Sequence, residues 1–148
     1  MRECVIRGVE ERDLPEVVRV EFWSFPYPFE NEVLALLYLA WRRYFFVAEC
    51  LGHVVGYVSG RSEGGWGHVV SIAVMPRWRG KGLGKALMLA LEKAFAADGL
   101  MNSYLEVAAW NRGAIALYKR LGYVIAGVMR RYYPDGSDAY VMVKRLLT

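Results

Sequence analysis

The sequence predicts an α/β fold built on one mixed sheet of about seven strands with four helices, and three observations carry that prediction. Segments that alternate with a period of two are interleaved with segments whose apolar residues recur at helical spacing, in the order β-α-α-β-β-β-α-β-α-β-β. One strand near the middle, His68 to Val74, is apolar at nearly every position after its first residue, as expected of a central strand covered on both faces. That strand leads into a turn with glycine at alternate positions, Gly80, Gly82 and Gly84, and a long amphipathic segment leaves it.

Each element has a local reason. Cys4 to Gly8 reads as a short first strand. Asp13-Leu14-Pro15-Glu16 is a helix start, with Asp13 as N-cap, Pro in the first turn and Glu three residues on. That helix stops at Phe25-Pro26-Tyr27-Pro28, because two prolines forbid its continuation. A second helix, Glu30 to Arg42, carries Val33, Leu34, Leu37 and Leu39. Strands at Tyr44 to Cys50 and Val54 to Arg61 are joined by Leu51-Gly52-His53 as a tight hairpin. Glu63 to Gly67 is a turn before the central strand. The amphipathic pattern after the glycine turn runs from Ala86 to Phe95, and the helix ends at Asp98-Gly99. Ser103 to Ala109 is a strand, Asn111 to Leu121 a helix stopped by Gly122, and Val124 to Arg130 with Ala139 to Val143 a last hairpin.

A chain of 148 residues is the size of one domain, and residues 1–148 are expected to form one. Apolar residues make up 55%, but charges interrupt them before any run reaches the ~18 to 20 residues of a membrane span. The start, Met1-Arg2-Glu3-Cys4, lacks a signal-peptide hydrophobic region, so a cytoplasmic protein with no membrane partner is expected. The net charge of +4 is concentrated at 77–85 and 129–131, which suits an anionic small molecule and is too local for nucleic acid. The absence of Gln, with Asn at three positions only, is one mark of heat-adapted proteins, and a thermophilic source is expected. Cys4 and Cys50 lack metal-ligand spacing and are read as buried small hydrophobes. Should the first two strands pair antiparallel, the start of one faces the end of the other, and a cross-strand disulfide is the alternative reading. No motif calls for a metal, since His68 with Glu106 makes only two ligands.

The glycine turn is a phosphate cradle. Glycines strip Cβ atoms from the loop, helix N–H groups follow it, and Arg79, Lys81 and Lys85 supply positive charge. It is not a P-loop: counting back from Gly84-Lys85, the first glycine position is Arg79, and the magnesium-binding Ser or Thr is Ala86. It is not a dinucleotide fingerprint either, because Leu87 stands where the third glycine belongs. The pattern R-x-x-G-x-G is met by Arg79, Gly82 and Gly84.

That pattern resembles the acetyl-coenzyme A loop of the GNAT acetyltransferases, and the likeness extends over nearly the whole chain. Gly67-His68-Val69-Val70-Ser71-Ile72-Ala73-Val74, Tyr104-Leu105-Glu106-Val107, Asn111 to Tyr123 and Tyr132 to Met142 are similar to the fourth strand, fifth strand, following helix and C-terminal hairpin of the archaeal and RimI-like N-terminal protein acetyltransferases. The resemblance implies a GNAT fold splayed between the fourth and fifth strands, with acetyl-CoA as co-substrate. It implies that the backbone of Ile72, Ala73 and Val74 pairs with the pantetheine arm, that Arg79, Gly80, Lys81, Gly82, Leu83, Gly84 and Lys85 hold the pyrophosphate, and that Asn111 holds the coenzyme arm.

Acetyl transfer to an amine needs a base for the amine and a proton for the departing thiolate. An α-amine has a pKa of about 8, so a modest base is enough. Read from the residues alone, His68 is a hydrogen-bonded strand-edge histidine and Glu106 pairs with Arg112 at the surface. The resemblance implies instead that His68 and Glu106 work through a water as the general base, and that Tyr118, one heptad from Asn111, is the general acid. Trp23, Phe25 and Tyr27 would form one wall for an incoming N-terminus, and Tyr132 and Tyr133 the other. Several relatives carry Glu where Trp23 or Ser24 falls, so a more apolar pocket is expected. The expected activity is acetylation of protein N-terminal amines by direct attack in a ternary complex, with no auxiliary subunit required. The alternatives are a lysine or small-amine acceptor, disfavoured by the paired tyrosines, and a non-catalytic acyl-CoA sensor, disfavoured by His68, Glu106 and Tyr118 occurring together.

Overall fold

A computed structural model describes residues 3–147. Its elements are β1 (Cys4–Gly8), α1 (Leu14–Ser24), α2 (Asn31–Trp41), β2 (Phe45–Cys50), β3 (His53–Glu63), β4 (Trp66–Val74), α3 (Leu83–Ala97), β5 (Asn102–Ala108), α4 (Arg112–Arg120), β6 (Val124–Met129) and β7 (Ala139–Arg145). Their order is the one the periodicities predict. The seven strands are arranged β1-β2-β3-β4-β5-β7-β6 in a mixed sheet. β4 and β5 pair parallel, which the intervening α3 permits, while β1–β2, β2–β3, β5–β7 and β6–β7 pair antiparallel. The β4–β5 register covers Trp66↔Asn102, Gly67↔Ser103 and His68↔Tyr104 and stops there, although β4 continues to Val74 and β5 to Ala108.

Packing divides the chain into two compact units. One comprises the residues up to Arg61 with Val70–Ala94, and the other Ser62–Val69 with the residues from Phe95 onward. In the first, Val17 and Val20 of α1 and Leu34 of α2 are packed with Phe45, Val47, Val54, Tyr57 and Ala73 in one core. The β2–β3 hairpin turns on Leu51 and Gly52, both at positive φ (52° and 83°), with His53 already in β3.

Three expectations need correction here. Cys4 and Cys50 are register partners of the antiparallel β1–β2 pair and form a disulfide, so they are not two separate buried hydrophobes. Asp13 stands at the α1 N-cap but makes no side-chain cap there. Its carboxylate instead accepts from Arg7 Nη1 (2.8 Å) and Nη2 (2.9 Å) and from the Glu10 N–H (2.8 Å), because a cation is a stronger partner than a helix N–H. Finally, β4 is not covered on both faces. Gly67, Val69, Ser71 and Ala73 are buried, while His68, Val70, Ile72 and Val74 alternate with them half-buried.

In the second unit β5 lies against β7 over its full length, Asn102↔Arg145 to Ala108↔Ala139. Gly67 must be glycine for packing reasons: a Cβ there would come within 2.3 Å of the Phe95 ring. Beneath β5 the Ser103 hydroxyl and the Tyr123 phenol are 2.8 Å apart, both buried.

Candidate active site

The first unit carries the predicted phosphate cradle. Gly80 and Gly82 have φ of 77° and 85°, a backbone state L side chains rarely adopt, and a Cβ at either position would meet nothing within 4 Å. These glycines are therefore required by conformation and leave open space at the loop surface. α3 starts at Leu83, three residues before the apolar pattern indicates, because the loop glycines interrupt that pattern without stopping the helix. The bond from the Ala86 N–H to the Gly82 carbonyl (3.0 Å) opens the helical ladder, so the N–H groups of Leu83, Gly84 and Lys85 lie ahead of it. With the positive end of a 15-residue helix behind them, this backbone fits a diphosphate.

The cations divide. Arg79 turns back, its Nε donating to the Val74 carbonyl (2.8 Å), which braces the loop against the end of β4. Lys81 Nζ sits 5.7 Å over the Trp78 ring, and Lys81 and Lys85 are both exposed. On β4 itself Ile72 and Val74 are half-buried and Ala73 is buried. Of the predicted apolar wall, Phe25 is packed against the core, whereas Trp23, stacked edge-on with Phe22, and Tyr27 are exposed.

The second unit brings the proton-handling candidates together. His68 Nε2 is 2.8 Å from Glu106 Oε1, with side chains only 12% and 17% exposed. The surface pairing of Glu106 with Arg112 yields to this contact, since β4 and β5 run parallel and place the two side chains next to each other. The Tyr132 and Tyr133 rings meet edge to face, 4.9 Å apart. Burial raises the pKa of both phenols, Tyr133 to about 12. The Glu106 charge adds to the effect on each, and Tyr132 and Asp135 add further at Tyr133. The hairpin tyrosines thus lie within the field of the same carboxylate that meets His68. Tyr118 on α4 is buried, and burial, helped by Tyr133, pushes its phenol well above the usual tyrosine value and keeps it protonated. Asn111 caps α4, its side-chain oxygen accepting from the Ala114 N–H (3.2 Å).

Sequence reasoning missed several residues around these. The Tyr104 ring is stacked on His68 at 4.4 Å and 5°, and its hydroxyl donates to Glu63 Oε2 (2.6 Å). The signal was available, because Tyr104 is two residues from Glu106 on an alternating strand. Asp138 ties the hairpin loop: its carboxylate accepts the Arg131 N–H (3.0 Å) and its carbonyl the Ala109 N–H (2.9 Å). Arg131 has φ of 52°, so the chain enters Tyr132 from a strained residue that these bonds hold in place. In the first unit Glu21 is a buried carboxylate on the inner face of α1.

Among the described residues no group of three or more His, Cys, Asp or Glu gathers as a metal site, and no helix is long and apolar enough to cross a membrane.

Comparison with known proteins agrees with this architecture. The chain is 37% identical to an N-alpha-acetyltransferase of Sulfurisphaera tokodaii, covering 98% of this chain and 95% of that protein. Its structure superposes on the crystal structure of Ard1 from Thermoplasma volcanium with a TM-score of 0.94 at 30% identity, covering 99% of both chains. It superposes on the ribosomal-protein-S18-alanine N-acetyltransferase from Escherichia coli with a TM-score of 0.89 at 30% identity, covering 98% of this chain and 95% of that one. The model of the Acetyltransferase (GNAT) family matches residues 14–123, and with the glycine cradle and the parallel β4–β5 pair in place, this chain belongs to the GNAT acetyltransferase family.

Proposed function

We propose that this protein acetylates the free α-amine of protein N-termini, using acetyl-CoA, by direct attack in a ternary complex. The observation that carries the reading is the half-buried contact of His68 with Glu106, whose charge is also felt at both hairpin tyrosines. Relatives with 30% identity or more that are named as N-alpha-acetyltransferases or as an alanine N-acetyltransferase support the choice of acceptor.

Bound acetyl-CoA would supply the acetyl group as an activated thioester. The N–H groups at the start of α3 and the side chains of Lys81 and Lys85 would hold its diphosphate, with Gly80 and Gly82 keeping the approach open. Arg79 would shape the loop through Val74, and the backbone of Ile72 and Ala73 would orient the pantetheine arm, with Asn111 assisting. His68 and Glu106 would accept the ammonium proton through a water. The acceptor's pKa of about 8 leaves about a tenth of it already neutral near pH 7, so a modest base is enough. Tyr118 keeps a proton on its phenol oxygen, the one a departing thiolate needs. Both cysteines of the chain are tied in the Cys4–Cys50 disulfide, so no thiol offers itself as an acyl carrier, in keeping with direct attack. Tyr132 and Tyr133 would hydrogen-bond the backbone of the incoming N-terminus, and Trp23, Phe25 and Tyr27 would contact its first side chain.

The test is a mass-spectrometric assay with peptides that differ only at the first residue. Each carries one internal lysine and has a twin blocked at its N-terminus. Acetylation of the α-amine, absent in the twin, is the expected result. Acetylation confined to the lysine would overturn the reading.

A further inference from the structure

Glu21 is a buried carboxylate, and among the described residues no cation is paired with it. It is 3% exposed, lies one turn after the fully buried Val17 on α1, and its hydrogen-bond partners among the described residues are neutral. Oε1 accepts from the Tyr57 hydroxyl, and the Ser71 hydroxyl lies 3.5 Å away; Tyr57 and Ser71 are themselves joined at 2.9 Å. Oε2 accepts the backbone N–H of Phe29 at 2.8 Å. Burial raises its pKa, and the three hydrogen bonds oppose that rise.

The segment this carboxylate holds is otherwise anchored by Phe25, whose side chain packs against the core. Phe25 to Phe29 lies between α1 and α2 and belongs to no helix or strand. Pro26 and Pro28 have no N–H, so only Phe25, Tyr27 and Phe29 can donate from the backbone. Two of those three donors end on Glu21: the Phe25 N–H on its carbonyl (3.3 Å) and the Phe29 N–H on its carboxylate. The same residue is anchored on β3 and β4 through Tyr57 and Ser71. The Phe29 end of the aromatic segment is thus fastened to the sheet through the Glu21 side chain, and an apolar residue there would leave the Phe29 N–H and the Tyr57 hydroxyl without this acceptor.

We propose that Glu21 is a positioning residue for substrate selection. Through Phe29 and the sheet anchors Tyr57 and Ser71, it sets the conformation of the aromatic segment Phe25–Phe29, against which the first residue of the acceptor is read. This rests on the α-amine reading above, and on that segment contacting the acceptor's first side chain.

The test has two arms. Amide hydrogen exchange in Glu21→Ala should show the Phe29 N–H exchanging at least about tenfold faster than in the unaltered protein, with the β3 amides unchanged. In steady-state assays the peptide KM should rise about tenfold and discrimination between first residues should flatten, while kcat and the acetyl-CoA KM stay within about twofold. Glu21→Gln keeps an acceptor for Phe29 and should restore most of the peptide KM. If Glu21→Ala fails to fold, Tyr57→Phe replaces it. It leaves the carboxylate in place but removes the nearer of its two sheet anchors, and a smaller shift of peptide KM in the same direction supports the proposal. An unchanged Phe29 exchange rate, an unchanged peptide preference, or a loss spread equally over kcat and both KM values would overturn it. If the protein acetylates lysine instead, the substrate reading fails, and the exchange arm still decides whether Glu21 holds the segment.

Discussion

Nε2 of His68 and Oε1 of Glu106 stand 2.8 Å apart, with His68 on the last rung where β4 pairs with β5 and Glu106 two residues further along β5. A carboxylate and an imidazole in contact handle a proton as one unit, so removing either disables both. His68→Ala and Glu106→Gln should each lower kcat/KM by about 10²–10⁴, the usual range for a general base. The double variant should be no slower than the slower single one. Initial rates with an unblocked peptide at saturating acetyl-CoA check this. Additive losses would mean that the two residues act separately.

Tyr118→Phe removes the phenolic proton while keeping the buried ring and its edge-on contact with Tyr123. kcat should fall about 10²-fold with the peptide KM little changed, and the thermal midpoint should stay near that of the unaltered protein. A variant with full kcat would remove Tyr118 from the reaction.

Gly82→Ala tests the cradle by backbone strain alone, because a Cβ there meets no neighbour within 4 Å. Holding φ near 85° with an L side chain costs about 1–2 kcal/mol, and relaxing that strain displaces the N–H groups ahead of α3. Acetyl-CoA should bind roughly tenfold more weakly by calorimetry, with binding of the isolated peptide unaffected.

The Cys4–Cys50 disulfide closes a loop between residues 46 apart in sequence. Constraint of the unfolded chain by such a loop is worth about 2–4 kcal/mol. Reductant, or Cys4→Ser with Cys50→Ser, should lower the midpoint of urea unfolding accordingly. Equal stability with and without reductant would show that the bridge contributes nothing.

Asp13 predicts an acid-sensitive share of stability. The hydrogen bonds from Arg7 hold its carboxyl below the usual 3.8, so the folded state favours the ionised form. A lowered folded value means that this stability is complete above pH 3.8 and is lost as the pH falls through the lower folded value. Asp13→Asn should therefore be about 1.5–3 kcal/mol less stable than the unaltered protein at pH 7, a gap that narrows below about pH 4. Urea titrations at a series of pH values check both the sign and the window.

Much of the fold was legible because its signals are local. Pro26 and Pro28 end α1 by removing N–H donors, and the Ala86–Phe95 stripe marks α3. Gly80 and Gly82 announce left-handed backbone at the loop. Where local signals competed, sequence reasoning failed. Asp13 has the chemistry of an N-cap, but the Arg7 guanidinium takes its carboxylate. β4 reads as buried on both faces, because apolar composition cannot tell a buried face from a half-open one.

The order of the elements, the glycine cradle and the residue types able to handle a proton are readable from the chain alone, since each follows from periodicity, φ preference or side-chain chemistry within a few residues. Only the tertiary structure decided which distant groups meet. His68 finds Glu106 across 38 residues, Tyr57 finds Glu21 across 36, and Cys4 finds Cys50 across 46. Tyr57–Glu21 depends on how α1 packs on β3. The His68–Glu106 and Cys4–Cys50 pairings depend on strand order and register, where a slip of one residue would turn a strand's side chains to the opposite face. That register is set by burial of the whole core, which no local stretch of sequence contains.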